Sequence, residues 1–342
     1  MKLNESLNCA IKEIRGKGLK KYKGTDKAIS WTEKDFLNGD TVDAGVIILR
    51  TRGCRWGLNS GCSMCGYVYD STREKVDENE VLTQFEDSLA GLDGIEYLKI
   101  FNSGSFFDPL ELGDPVIESI FKKINKTGIK KVQVESRPEF LEAEILKRAR
   151  DILEAQLEVG VGLESTNDEV RINCINKGFS LEDFETALDT CNRLGIEVKA
   201  YLLIKPPFLT EKEAIQDAIN SGVEAHKLGV SRISYNPMNI QKGTLVDLLW
   251  RRGEYRAPWL WTVVEVLREV SKKVDIPVLS HPTAAGRKRG VHNCGGCDGE
   301  LYKAIIDFSI TQNPNHLKDL ECVCKNEWED YLDLESYKTA PF

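Results

Sequence analysis

The stretch Gly53-Cys54-Arg55-Trp56-Gly57-Leu58-Asn59-Ser60-Gly61-Cys62-Ser63-Met64-Cys65-Gly66-Tyr67 follows closely on the apolar run Val46-Ile47-Ile48-Leu49 and places three cysteines within twelve residues. It offers three thiolates and no fourth. A structural zinc site closes a tetrahedron of four protein ligands, whereas a 4Fe–4S cube held by three cysteines keeps one iron for an outside ligand. The spacing therefore points to an open iron. Gly53, Gly57, Gly61 and Gly66 let the backbone turn tightly around a bulky inorganic group. Simple burial or zinc ligation is the competing reading, and a C-x7-C-x2-C pattern after a strand and beside an aromatic argues against it. Tyr67, two residues past Cys65, either lies against an adenine face or simply packs.

From Val46 onward, strand and helix alternate in units of about thirty residues. Candidate strands are 46–50, 97–102, 131–135, 157–163, 197–204 and 230–235, with amphipathic stretches at 80–92, 115–126, 139–155, 180–194 and 211–228 between them. Such alternation implies parallel strands with right-handed crossovers. The expected fold is α/β, a partial (β/α)6 TIM-like barrel over 45–257, with a basic N-terminal extension at 1–44 and a C-terminal cysteine-rich segment at 258–342. Ser30-Trp31-Thr32-Glu33 has the form of a helix start, and 276–280 reads as a strand leading into the second cysteine cluster.

In a parallel barrel the chemistry gathers at the carboxyl ends of the strands. The second strand is followed there by Ser103-Gly104-Ser105-Phe106-Phe107-Asp108, a small-residue turn able to hold a charged amino group through its carbonyls and Asp108. Glu135 and Arg137 end the third strand, Glu164 the fourth, and Asn236 the sixth; Lys199 in the fifth strand and Lys205 just after it are, with Asn236, candidates for holding a substrate anion. A strand-end Glu can accept both hydroxyls of a ribose. Taken singly, each of these is as well read as an ordinary turn, cap or solvated charge.

The second cluster reads His292-Asn293-Cys294-Gly295-Gly296-Cys297 and, farther on, Cys322-Val323-Cys324. Four cysteines close a tetrahedron, which favours structural zinc. Three of them with His292, a second iron–sulfur cluster, and unligated thiols are the alternatives. Cys9, Cys174 and Cys191 are scattered and carry no assigned chemistry.

With 41% hydrophobic residues, no long apolar run and a polar start, the chain is expected to be cytoplasmic and to have no membrane contact. Ten cysteines without a secretory signal fit metal or cluster ligation better than disulfides. The net charge of −8 argues against indiscriminate nucleic-acid binding. Local basic runs remain, at Lys12, Arg15, Lys17, Lys20, Lys21, Lys23 and Lys27, and again at Arg287-Lys288-Arg289. Each is either a solvated face or an RNA contact.

The three-cysteine loop resembles that of the radical S-adenosylmethionine (SAM) enzymes, although the usual spacing there is C-x3-C-x2-C. The stretches LRTRGCRWGLNSGCSMCGY, SGSFFDP, ESRPEF, GLEST, KAYLLIKPP, NPMNIQKGT and HNCGGCD, taken together and in order, resemble the archaeal branch that acts in archaeosine biosynthesis. That resemblance implies a 4Fe–4S cluster on Cys54, Cys62 and Cys65, and SAM on its free iron. Ser103, Gly104, Ser105, Glu135, Arg137, Glu164, Asn236 and Tyr67 are the implied cofactor contacts. It implies a lyase that cleaves the lysine carbon–nitrogen bond of a lysine–deazaguanine adduct at position 15 of tRNA. The implied partners are tRNA, a lysine-transferring archaeosine synthase subunit and an external electron donor. A methylthiotransferase or an Elongator-like acetyltransferase would need an accessory domain for which 342 residues leave little room. A non-catalytic, metal-stabilised RNA adaptor would have no use for an open iron.

Overall fold

Asn38 and Gly39 both have positive φ, 52° and 97°, and Leu37 faces Asp40 across them. That is the two-residue turn whose twist matches paired strands, and Asn-Gly is its favoured sequence. In the computed structural model, which describes residues 3–15, 22–23 and 25–335, it joins β1 (Ile29–Leu37) to β2 (Asp40–Leu49) in an antiparallel hairpin. The segment from Ser30 is thus a strand and not the start of a helix. Ile29, Trp31, Thr32 and Phe36 are β-formers, and the turn fixes their pairing.

The remaining strands are β3 (Tyr97–Asn102), β4 (Lys131–Glu135), β5 (Gln156–Glu164), β6 (Glu197–Ile204), β7 (Arg232–Pro237) and β8 (Val278–Ser280). They lie side by side in chain order, and every pair from β2 to β8 is parallel. The strand at 276–280 therefore belongs to the same sheet. Helices Glu78–Leu89, Asp114–Ile124, Ala143–Ile152, Leu181–Arg193 and Glu211–Leu228 make the crossovers from β2 to β7. Two of them start in reciprocal capping boxes, Ser180 with Asp183 and Thr210 with Glu213. The sheet curls into a half-barrel: Arg232 on β7 donates to the Phe36 carbonyl of β1 at 2.6 Å and lies 3.5 Å from Asp35.

Ions fill the closed end of the barrel. Lys131 pairs with Glu158 at 2.6 Å and Glu197 at 2.5 Å, and Lys99 pairs with Asp35 and, at 2.7 Å, with Glu33. The C-terminal segment shares the barrel's apolar core, which runs without a break from Ile47 to Trp328. It is also tied by charge. Lys205 is 2% exposed and bonds Glu211 at 2.7 Å, while Glu335 accepts from the Glu211 amide. Lys205, weighed above as an anion contact, is therefore committed elsewhere. Lys17, Lys20 and Lys21 lie outside the described residues.

Candidate active site at the carboxyl ends of the strands

Cys54, Cys62 and Cys65 sit in the loop after β2, and three remote segments hold that loop. Arg15, at the end of the helix Leu3–Arg15, donates to the carbonyls of Gly57 at 2.7 Å, Cys62 at 2.9 Å and Cys65 at 2.8 Å. It is buried, so it is no RNA contact despite its place in a basic run. Gly61 has φ +95° and its Cβ would fall within 2.1 Å of the Arg15 guanidinium carbon, so only glycine passes there. The second support is the π-helical turn Val170–Ile175 with the left-handed Asn176 behind it. Asn176 donates to the Gly61 carbonyl at 2.9 Å, the Ile175 carbonyl accepts from Ser63 N at 2.8 Å, and Trp56 Nε1 donates to the Asn176 carbonyl at 2.8 Å. The third is the turn after β3, where the Ser103 carbonyl accepts from Cys54 N at 3.0 Å.

The three thiols feel one another. Burial pushes Cys54 up and Cys65 up to about 12, and the thiol of Cys62 adds to both shifts, while Arg137 and Arg15 oppose them. Three converging thiols inside a frame of Arg15, Arg137 and Lys177 fit an anionic tris-thiolate cluster.

The small-residue turn is tight against this loop. A Cβ on Gly104 would lie 2.7 Å from Cys54 N and 2.1 Å from Glu111 Oε2. Ser105 is buried; its amide donates to Glu111 at 2.8 Å and its hydroxyl accepts from Arg137 N at 3.1 Å. Glu111 thus puts a buried carboxylate under a turn that carries no Glu of its own, and desolvation raises its pKa. Asp108, considered above for an amino group, is instead paired with Arg55. Arg137 donates to the Lys177 carbonyl at 3.0 Å and to Glu139 at 2.6 Å, and lies over the Trp56 and Phe179 rings. Glu164 has φ +68°, a conformation held at a cost, and its carboxylate meets Lys177 Nζ at 2.8 Å. Tyr67 is exposed beside Gln241 and Cys65. Glu135 and Asn236 lie on the inner face of the barrel, and Glu135 pairs in register with Gly160, four residues before Glu164.

Residues 48–219 match the family model of the radical SAM superfamily. The chain is 39% identical, over 97% of both chains, to the archaeosine synthase subunit beta of Methanosarcina acetivorans. The chain belongs to the radical SAM superfamily. A second relative, the archaeosine synthase subunit beta of Thermococcus kodakarensis, is 36% identical and aligns over 87% of this chain and 94% of its own. Among solved structures, Elp3 of Methanocaldococcus infernus superposes with a TM-score of 0.51 at 18% identity, covering 65% of this chain and 57% of that one, a likeness of fold.

Away from the radical SAM loop, the sulfurs of Cys294, Cys297, Cys322 and Cys324 all lie within 4.8 Å of one another. Three of the edges measure 3.9, 3.8 and 3.5 Å. A tetrahedral ion with metal–sulfur bonds of about 2.3 Å requires edges of about 3.8 Å. These four side chains can hold a metal ion. His292 stands outside the group, its Nδ1 2.8 Å from the Gly290 carbonyl. Of the neighbouring basic knot, Arg287 and Lys288 are exposed, but Arg289 bonds Asp247 and the Ile240 carbonyl and stacks on Trp250. Among the described residues no helix is long and apolar enough to cross a membrane. Arg15, Glu111, Asn176 and Lys177 are not legible as site residues in the sequence, because their roles come from contacts across gaps in the chain.

Proposed function

We propose that this protein is the radical SAM subunit of an archaeosine synthase, a lyase that cleaves the lysine carbon–nitrogen bond of the lysine adduct of 7-cyano-7-deazaguanine at position 15 of archaeal tRNA. The observation that carries this reading is the match along nearly the whole chain to archaeosine synthase beta subunits. Cys54, Cys62 and Cys65 would hold the cluster, which would supply the one-electron reduction of SAM and so the radical chemistry that opens the carbon–nitrogen bond of the lysine part. Around it the chain supplies position and charge. Ser103, Gly104 and Ser105 offer backbone carbonyls to the methionine amine, beside the cysteine loop that Gly104 lets approach. Arg137 offers positive charge to its carboxylate, Glu164 accepts from the ribose, and Tyr67 covers the adenine. The barrel walls exclude water.

The four C-terminal cysteines hold zinc. Their short sulfur–sulfur edges suit one ion and are too close for a cube, which spreads its cysteines over separate irons. Arg287 and Lys288 give local contacts to tRNA, while a lysine-transferring partner subunit supplies most of the affinity that a chain of net charge −8 lacks. An external donor delivers the electron, and ten free cysteines suit the reducing cytoplasm.

The test is anaerobic reconstitution with iron and sulfide, then reductant, SAM, the partner and tRNA carrying the lysine adduct. Both 5′-deoxyadenosine and archaeosine are expected from the wild type and neither from Cys62→Ala. A wild type that holds its cube yet releases no 5′-deoxyadenosine under those conditions overturns the reading.

A further inference from the structure

Near the mouth of the barrel, Phe101, Glu135, Gly162, Tyr201 and Asn236 are open to solvent in part or in full, although the two chain neighbours of each are buried. Alternate exposure along otherwise buried strands marks a lumen. Beneath it lie Gln133, Lys199 and Ser234, all buried. Gly160 falls between Glu135 and Lys199 in one row of the sheet. A Cβ there would sit 2.7 Å from Tyr201 Cε2, so the glycine lets the phenol cross the strand. Tyr201 Oη accepts from Gln133 Nε2 at 2.6 Å, which leaves its own proton for the Glu135 carboxylate.

Glu135 is thus aimed but not neutralised. The cations around it are committed, Lys177 to Glu164 at 2.8 Å and Lys199 to Gln133 Oε1 at 3.1 Å, and no ion pair to Glu135 forms among the described residues. Burial pushes its carboxyl up to about 7, the behaviour of an acid short of a counter-ion. A lysine joined to a base through its side-chain nitrogen keeps a free α-ammonium and α-carboxylate. A zwitterion that leaves bulk water for this lumen must find opposite charge or hydrogen bonds there.

We propose that Glu135, aimed by Tyr201, receives the free α-ammonium of the substrate's lysine substituent, and that the exposed Asn236 amide faces its α-carboxylate. This assignment rests on the reaction proposed above and moves Glu135 and Asn236 from the cofactor to the substrate. The shared chemistry, a carboxylate receiving an α-ammonium, would also suit the methionine end of SAM, so the test separates the two sources.

The holoenzyme is compared on tRNA carrying the lysine adduct and on tRNA carrying the 6-aminohexanoate adduct, which lacks only the α-amino group. Wild type is expected to favour the lysine adduct by roughly 10- to 100-fold in kcat/KM. Glu135→Gln should lose most of that preference through turnover of the lysine adduct alone, and direct titration should show weaker binding of that tRNA. Tyr201→Phe should give an intermediate loss. Discrimination that survives in Glu135→Gln overturns the assignment, as does a SAM dissociation constant that rises in step with the loss. Absence of any turnover by wild type would instead sink the reaction itself, and this assignment with it.

Discussion

Arg15 makes three charge-assisted hydrogen bonds to backbone carbonyls of the cysteine loop, and it does so while buried. Arg15→Gln should therefore cost about 2–4 kcal/mol and lower the iron retained per chain after reconstitution, read by thermal unfolding and iron assay. Arg15→Lys should recover little, because a single ammonium cannot reproduce the planar fork. The basic knot divides in the same way. Arg289→Ala should lower stability by about 1–3 kcal/mol, since Asp247 loses a partner and Trp250 its cover. Arg287→Glu with Lys288→Glu should leave the melting temperature nearly unchanged while weakening tRNA binding in a salt-dependent way; unchanged binding would remove this loop from the RNA surface. At this scale the sequence showed what chemistry needs in a short run, namely three cysteines and a cysteine quartet. It did not show Arg15 or Asn176. Their partners lie 42 to 50 and 115 to 120 residues away in the chain, and a basic run looks alike whether a member points out or in.

The parallel elements were legible because each apolar strand is followed by an amphipathic helix, and five of the six expected strands agree with the observed ones to within a residue or two at most boundaries. β1 was missed because its polar residues Ser30, Glu33 and Lys34 read in sequence like a helix cap, although Asn38-Gly39 announces the hairpin. β8 was seen but set apart, since a three-residue strand gives no clue to its neighbour. The helix Cys324–Glu335 begins in the cysteine quartet, where Cys324 Sγ also accepts from Trp261 Nε1 at 3.3 Å. With the proposed ion in the quartet, a strong chelator should loosen that helix before the barrel melts. Trp261 and Trp328 fluorescence should shift to the red under native conditions, and Cys324→Ala should show the shift without chelator. An unchanged emission spectrum would mean that packing alone holds the segment.

Across the molecule, the ions at the closed end of the barrel set its response to acid. Glu158 is held down to about 2, because Arg232 and Lys131 outweigh its burial, and Asp35 is held well below the usual carboxylate range by Lys99. A carboxylate whose folded pKa is depressed contributes stability above its ordinary value, near 4.5 for Glu, that is lost as pH falls through the folded value. For Glu158 this amounts to about 3 kcal/mol, lost between about pH 5 and 2. Acid titration of unfolding should show that slope, and Glu158→Gln should flatten it while lowering stability at neutral pH.

The helix Leu3–Arg15 rests on Leu245 through Leu7 and Ile11, and ends in the carbonyls of residues 57 to 65. Its residues are synthesised more than two hundred positions before Leu245. The segment that leaves the ribosome early thus completes its seat on Leu245 only after most of the barrel has been synthesised.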